Sequence, residues 1–195
     1  MNIKVLAPCA ALVAALGAGS LLSACVPVVV GAAVVGGALV VADRRSAGAQ
    51  VDDESIEVKV QNSANANYRD IHLNVTSYNG IVLLSGEVPN QAAKDGIANI
   101  ARNTDRVRSV QNELVVGPTS RLSARTNDTF ITSKVKARFV EAHNRFQINH
   151  VKVVTERSVV YLMGIVRRDE GDAAADIART TSGVERVVKV FEYIS

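Results

Sequence analysis

The side chains in this sequence that could do chemistry are few: two cysteines, three histidines and one short acidic run. Cys9 lies inside an apolar leader, and Cys25 closes the tetrapeptide Leu22-Ser23-Ala24-Cys25. Small residues before a cysteine let an extended chain enter a peptidase site, and a thiol can form a thioether to diacylglycerol. The tetrapeptide has the form of a lipobox. Lys4 supplies a short positive start and residues 5–22 are almost wholly apolar, so residues 1–24 read as a lipoprotein signal peptide. Cys25 is then the lipidated first residue. With Cys9 removed it has no internal disulfide partner, and acylation consumes a thiol that would be a liability in an oxidising compartment. A single acyl chain holds weakly, at about 0.8 kcal/mol per buried methylene, whereas several hold stably. Val26 stands where an aspartate usually retains such proteins in the inner membrane, so the expected place is the outer membrane, facing the periplasm.

The remaining candidates argue against catalysis. His72, His143 and His150 have no metal-ligand spacing with one another, and none accompanies a nucleophile pattern. Lipid on Cys25 excludes a cysteine hydrolase. Asp169, Glu170, Asp172 and Asp176 could suggest a cation site, but acids also gather at a helix N-terminus, where the helix dipole favours them. Gly86 and Gly164 close β-rich runs, where a close backbone approach or a bend excludes a side chain. No catalytic residue, metal or cofactor is expected. Nucleic acid is excluded as a partner by a net charge of only +3, by 4% aromatic residues and by the compartment.

One surface remains. On a helix through residues 127–140, Ile131, Val135 and Phe139 form the buried stripe, and Phe130 lies about 100° away from it, on a face shared with Lys134 and Arg138. Lys136 is nearby. An aromatic bordered by cations suits an anionic membrane surface: the ring enters the headgroup region and the cations meet phosphates. Packing of Phe130 against a neighbouring domain explains the same residues equally well, and the residues by themselves leave both open. Charge points the same way as the lipid reading. Residues 26–118 carry eight basic and ten acidic side chains, whereas residues 119–195 carry thirteen and nine.

The elements that must position these residues come as an internal repeat. Asp53-Glu54-Ser55-Ile56-Glu57-Val58-Lys59-Val60 is answered by Asp128-Thr129-Phe130-Ile131-Thr132-Ser133-Lys134-Val135, and Ile81-Val82-Leu83-Leu84-Ser85-Gly86 by Val159-Val160-Tyr161-Leu162-Met163-Gly164. Each copy reads helix, hairpin, alanine-rich helix, strand. Asp52 or Asp53, and Asn127 or Asp128, are expected helix N-caps, and Asn79-Gly80 is a left-handed hairpin turn that Arg157-Ser158 replaces in the second copy. The fold class is α+β: two tandem α-β-β-α-β domains, each a three-stranded mixed sheet covered on one face by two helices. The expected boundaries are 25–51 for the lipidated cysteine, apolar segment and linker, 52–116 for the first domain, 117–126 for a linker and 127–195 for the second domain. Residues 28–42 are apolar and glycine-rich, shorter than the roughly 20 residues of a spanning helix. Whether they lie in the membrane surface or on the folded part stays open.

A strand ending in glycine, an alanine-rich helix and Val-x-x-Val before a last strand resemble the BON domain. Here these are Leu83-Leu84-Ser85-Gly86 with Val107-Arg108-Ser109-Val110-Gln111-Asn112, and Leu162-Met163-Gly164 with Gly183-Val184-Glu185-Arg186-Val187. The layout is similar to dual-BON-domain outer-membrane lipoproteins, with matching stretches at Val51-Asp52-Asp53, Asn127-Asp128-Thr129-Phe130-Ile131-Thr132 and Ala173-Ala174-Ala175-Asp176-Ile177-Ala178. Departures are modest: Lys189 stands where the first copy has Asn112, and Phe130 where the family more often has tryptophan. The resemblance implies phospholipid association, through Phe130, Lys134, Arg138 and Lys136 of the second domain, and a role in envelope integrity with enrichment at the division site. The alternative is a periplasmic adaptor docking on envelope-assembly proteins. Oligomeric state is not legible.

Overall fold

The structure, a computed structural model, describes residues 43–195. The expected signal peptide at 1–24, the expected lipidation site Cys25 and the apolar segment 28–42 lie outside the described residues. The first repeat runs α1 (Ala47–Asn67), β1 (His72–Tyr78), β2 (Ile81–Val88), α2 (Gln91–Arg102), β3 (Ser109–Asn112) and β4 (Val115–Val116). The second runs α3 (Leu122–Glu141), a 3-10 turn (Ile148–His150), β5 (Val151–Glu156), β6 (Val159–Val166), α4 (Arg168–Arg179) and β7 (Arg186–Tyr193).

Both sheets are mixed. In each, a hairpin supplies the antiparallel pair and the last strand adds in parallel to its second strand, with Val82 opposite Val110 and Val160 opposite Val187. One face of each sheet carries the helices. Ile56, Val60 and Ala64 pack with Val82, Leu84 and Ile97 in the first core. Ile131, Val135 and Phe139 pack with Val160, Leu162 and Ile177 in the second, where Phe139 and Phe146 meet edge to face at 5.0 Å. The four-residue spacing of each stripe is what commits these helices to one buried side.

The opposite faces are not left to water. Strand alternation sends Tyr78 and Leu83 out of the first sheet, and Tyr161, Met163 and Ile165 out of the second, and these five form one buried cluster. The two sheets therefore pack on each other through their helix-free faces, with the helices outside.

Three expectations need correction. Both opening helices start earlier than the aspartates. α1 begins at Ala47, capped by Ser46, whose hydroxyl accepts from the Ala49 amide at 3.1 Å, and α3 begins at Leu122. Ser46 to Gln50, read as linker, is thus cap and first turn, because its alanines favour helix; residues 122–126 are helical as well. Asp53 and Asp128 fall nearly two turns inside and point inward, so they cap no helix and instead hold the hairpins. Asp53 accepts from the Asn79 and Gly80 amides at 2.7 and 2.8 Å, from the Ser77 hydroxyl at 2.6 Å and from Arg45 at 2.9 Å. Asp128 accepts from the Arg157 and Ser158 amides at 2.9 and 2.8 Å.

Second, the strands run past their glycines to Val88 and Val166. Gly86 and Gly164 are interior positions facing Leu73 and Val151, and a Cβ on either would collide with a backbone carbonyl, of His72 or of His150. Third, the last strand of the first repeat breaks at Glu113-Leu114, which turns Leu114 into the core at 1% exposure.

Candidate functional site

Phe130 projects from α3 with 62% of its surface exposed, so it is not a core or interdomain residue among the described ones. Lys134, one turn on, places its ammonium 5.0 Å from the centre of the Phe130 ring, a cation–π arrangement, and also donates to the Ser182 carbonyl. Lys136 is exposed. Arg138 is placed differently from the others. Its Nη1 donates to the Ile177 carbonyl at 2.8 Å and to the Thr180 and Thr181 hydroxyls at 3.0 and 2.9 Å, at the C-terminal end of α4. There a cation also meets the negative end of the helix dipole. Arg138 therefore ties α3 to α4 and holds the angle at which α3 presents Phe130.

The acids at the start of α4 also divide. Asp169 and Glu170 occupy its first turn, as their spacing suggested. Glu170 is nearly buried and accepts from the Arg167 amide at 2.7 Å. Arg44 grips the same carboxylate with both nitrogens, at 2.7 and 3.0 Å, and donates to the Ile165 carbonyl at 2.9 Å. Burial would raise the Glu170 carboxyl, but Arg44 and the Arg167 amide outweigh it and hold it below the usual carboxylate range.

Arg45 reaches the other repeat, to Asp53 and over the Tyr78 ring at 4.0 Å. Asp43-Arg44-Arg45 in the sequence marks only the end of an apolar run. In the fold it clasps both repeats directly after the apolar segment, and no local pattern announces partners more than 120 residues away.

A third group missed from sequence lies on the seam between the sheets. His72 on β1, Glu87 on β2 and Glu156 on β5 converge, with His72 Nδ1 2.9 Å from Glu87 Oε2 and 3.7 Å from Glu156 Oε1. Asn74 donates to Glu156 at 2.6 Å, Arg157 to Glu87 at 3.4 Å and the Ser120 amide to Glu87 at 3.2 Å. Burial is the main force lifting the Glu156 carboxyl above its ordinary range, while the Ser120 amide, His72 and Arg157 overcome burial at Glu87 and hold it low. A cleft of about 730 Å³ opens beside the cluster, lined among others by Lys94, Ser120, Arg121, Glu156, Arg157 and Arg186. Histidine spacing could not reveal this group, because its carboxylates come from different strands and one from the other repeat.

Comparison with known proteins agrees with the repeat. The BON domain matches residues 52–118 and again residues 127–195. Over 193 residues, 97% of this chain and 98% of the relative, it is 39% identical to the outer membrane lipoprotein DolP of Haemophilus influenzae. It is 35% identical to a 21 kDa hemolysin of Actinobacillus pleuropneumoniae over 78% of this chain and 79% of that one. With the osmotically-inducible protein Y of Escherichia coli it shares 32% identity over 70% of each chain. Among the described residues no helix is long and apolar enough to cross a membrane. Two matched repeats and a relative aligned from end to end establish that this chain belongs to the BON-domain family, as a dual-domain outer-membrane lipoprotein.

Proposed function

We propose that the protein is a non-enzymatic tether and sensor of membrane composition, lipidated at Cys25, whose second BON domain docks on anionic phospholipid. The docking face is Phe130 with Lys134 and Lys136, and Arg138 adds charge while fixing the helix. The observation that carries this reading is the exposed Phe130 ring with the Lys134 ammonium over it. Burying a phenylalanine side chain contributes about 1.5–3 kcal/mol, and each cation near an anionic surface on the order of 1 kcal/mol, less at high salt. Such a contact is weak alone. Joined to a lipid anchor it becomes intramolecular, and its effective concentration rises accordingly. Support of envelope integrity, with enrichment where anionic lipid collects such as a division site, follows from that pairing.

Flotation of residues 43–195 with phosphatidylglycerol and phosphatidylcholine vesicles tests it. Binding is expected to the anionic vesicles, to weaken with salt, and to disappear in Phe130→Glu with Lys134→Glu. Retention of full binding by that double variant overturns the face. Indifference to vesicle charge, with saturable crosslinking to one envelope-assembly protein in cells, supports the adaptor instead.

A further inference from the structure

We propose that His72, Glu87 and Glu156 form a Zn²⁺ site that locks the two BON domains together. His72 Nδ1, Glu87 Oε2 and Glu156 Oε1 belong to three strands and two domains, yet all lie within 4.8 Å of one another. Donors around a tetrahedral Zn²⁺, each at about 2.0–2.2 Å, stand roughly 3.4 Å apart. The observed separations from His72 Nδ1, 2.9 and 3.7 Å, bracket that value. One imidazole and two carboxylates is a donor set that suits Zn²⁺ better than Mg²⁺ or Ca²⁺, which prefer oxygen alone.

The surroundings look built to aim these atoms. Each carboxylate spends one oxygen on an outer partner and turns the other inward. Asn74 holds Glu156 Oε2 at 2.6 Å and leaves Oε1 toward the histidine; Arg157 holds Glu87 Oε1 at 3.4 Å, while Oε2 faces the histidine and also accepts from the Ser120 amide at 3.2 Å. Outer partners of this kind fix ligand orientation in metal sites. Gly86 contributes through the backbone: its missing side chain lets the His72 carbonyl come close, in the pair adjacent to His72 opposite Glu87.

Charge and burial give the site its pull. Glu87 is 0% and Glu156 4% exposed, two acids placed together with one arginine contact between them. Beside them Ser85, 1% exposed and cross-strand from Asn74, has a hydroxyl with no hydrogen-bond partner among the described residues. Glu156, Arg157 and Ser120 also line the 730 Å³ cleft, so solvent reaches the group from the Glu156 side.

Because the ligands come from both domains, bound Zn²⁺ stabilises their packing and so the folded chain. The test uses the full-length lipoprotein in detergent, stripped with chelator and titrated calorimetrically with Zn²⁺ and, separately, Mg²⁺. One saturable Zn²⁺ site per chain is expected, with a raised melting temperature and no comparable Mg²⁺ binding. His72→Ala and Glu156→Gln should abolish it, and Asn74→Ala should weaken it about tenfold or more. Circular dichroism in chelator verifies that the variants fold. Should they not, X-ray absorption on the Zn²⁺-loaded unaltered protein decides, by showing one imidazole in an otherwise oxygen shell. Absence of saturable binding, binding unchanged in His72→Ala, or a shell without imidazole each overturns the site.

Discussion

At the positions where the second domain presents Phe130, Lys134 and Arg138, the first carries Ser55, Lys59 and Ser63. At the hairpin turn the difference runs the other way: Asn79-Gly80 in the first domain suits a left-handed turn, and Arg157-Ser158 in the second does not. The buried aspartate that holds each turn differs too, with four donors on Asp53 and two on Asp128. The same fold thus has a tightly held copy next to the tether, gripped by Arg45, and a second copy whose outer helix is free to meet another surface. Duplication let the two copies keep one core and diverge where the core does not reach.

Where the copies have stayed alike, substitution should be worst. Gly86→Ala and Gly164→Ala each drive a Cβ into a backbone carbonyl, which cannot swing away as a side chain can. Gly86 adds a φ of 117°, a conformation L residues rarely adopt. Losses of about 3 kcal/mol or more are expected in urea unfolding, with Gly86→Ala the larger. Equal losses would mean that the left-handed conformation costs nothing beyond the collision.

Next come the aspartates. Asp53→Ala strands two amides and a hydroxyl, so a loss of about 3–4 kcal/mol is expected; Asp128→Ala strands two amides and should lose about 2 kcal/mol. The ranking reverses if the left-handed Arg157-Ser158 turn depends on its aspartate more than the count of bonds implies. Asp53 also predicts a pH dependence. Burial raises its carboxyl, but the Ser77 hydroxyl, the Gly80 amide, Arg45 and the Asn79 amide outweigh it and keep it below the ordinary range. Its folded value is therefore below its unfolded value of about 4. The stability it contributes is present above that value and is lost as pH falls through the lower, folded one. Acid unfolding curves of Asp53→Asn should be flatter below pH ~4 than those of the unaltered chain.

The contrast between the domains also shows what a sequence can reveal. Element order, the buried stripes and the pairing of repeats were legible because hydrophobic period is local. Phe130 was legible as off the stripe, though its exposure required knowing that the other sheet face, not this helix, meets the neighbouring domain. Arg138 looked like a membrane cation and is bonded to Ile177, Thr180 and Thr181, since i, i+4 spacing assigns a face but not what lies beside it. The caps were misplaced because Asp53 and Asp128 have the right chemistry for a helix start and use it on turns 27 and 30 residues away. His72 with Glu87 and Glu156 had no local sign at all.

Grafting the missing face sharpens the comparison further. Ser55→Phe with Ser63→Lys beside the existing Lys59 should give α1 a modest affinity for anionic vesicles, on the order of 1 kcal/mol per added cation. Flotation of the grafted chain in a Phe130→Glu, Lys134→Glu background reads it directly. No recovery would mean that the second domain contributes more than these side chains, such as the tilt that Arg138 imposes on α3.

The smallest expected effect exchanges the turns. Ser158 has a φ of 60° and Gly80 a φ of 75°, both in the left-handed region. Ser158→Gly should stabilise by about 0.5–1 kcal/mol, because glycine adopts that conformation without a Cβ penalty. It leaves Arg157 and its contact with Glu87 in place. Gly80→Ser should destabilise by more than the reverse change gains, since a Cβ at Gly80 would come within 2.8 Å of the Arg106 carbonyl oxygen as well. Paired thermal melts of the two variants check both signs. Equal and opposite shifts would mean that conformation alone sets the cost. The asymmetry expected here would show that the first domain, tied at its turn by Asp53 and closed over by Arg106, has less room to diverge than the second.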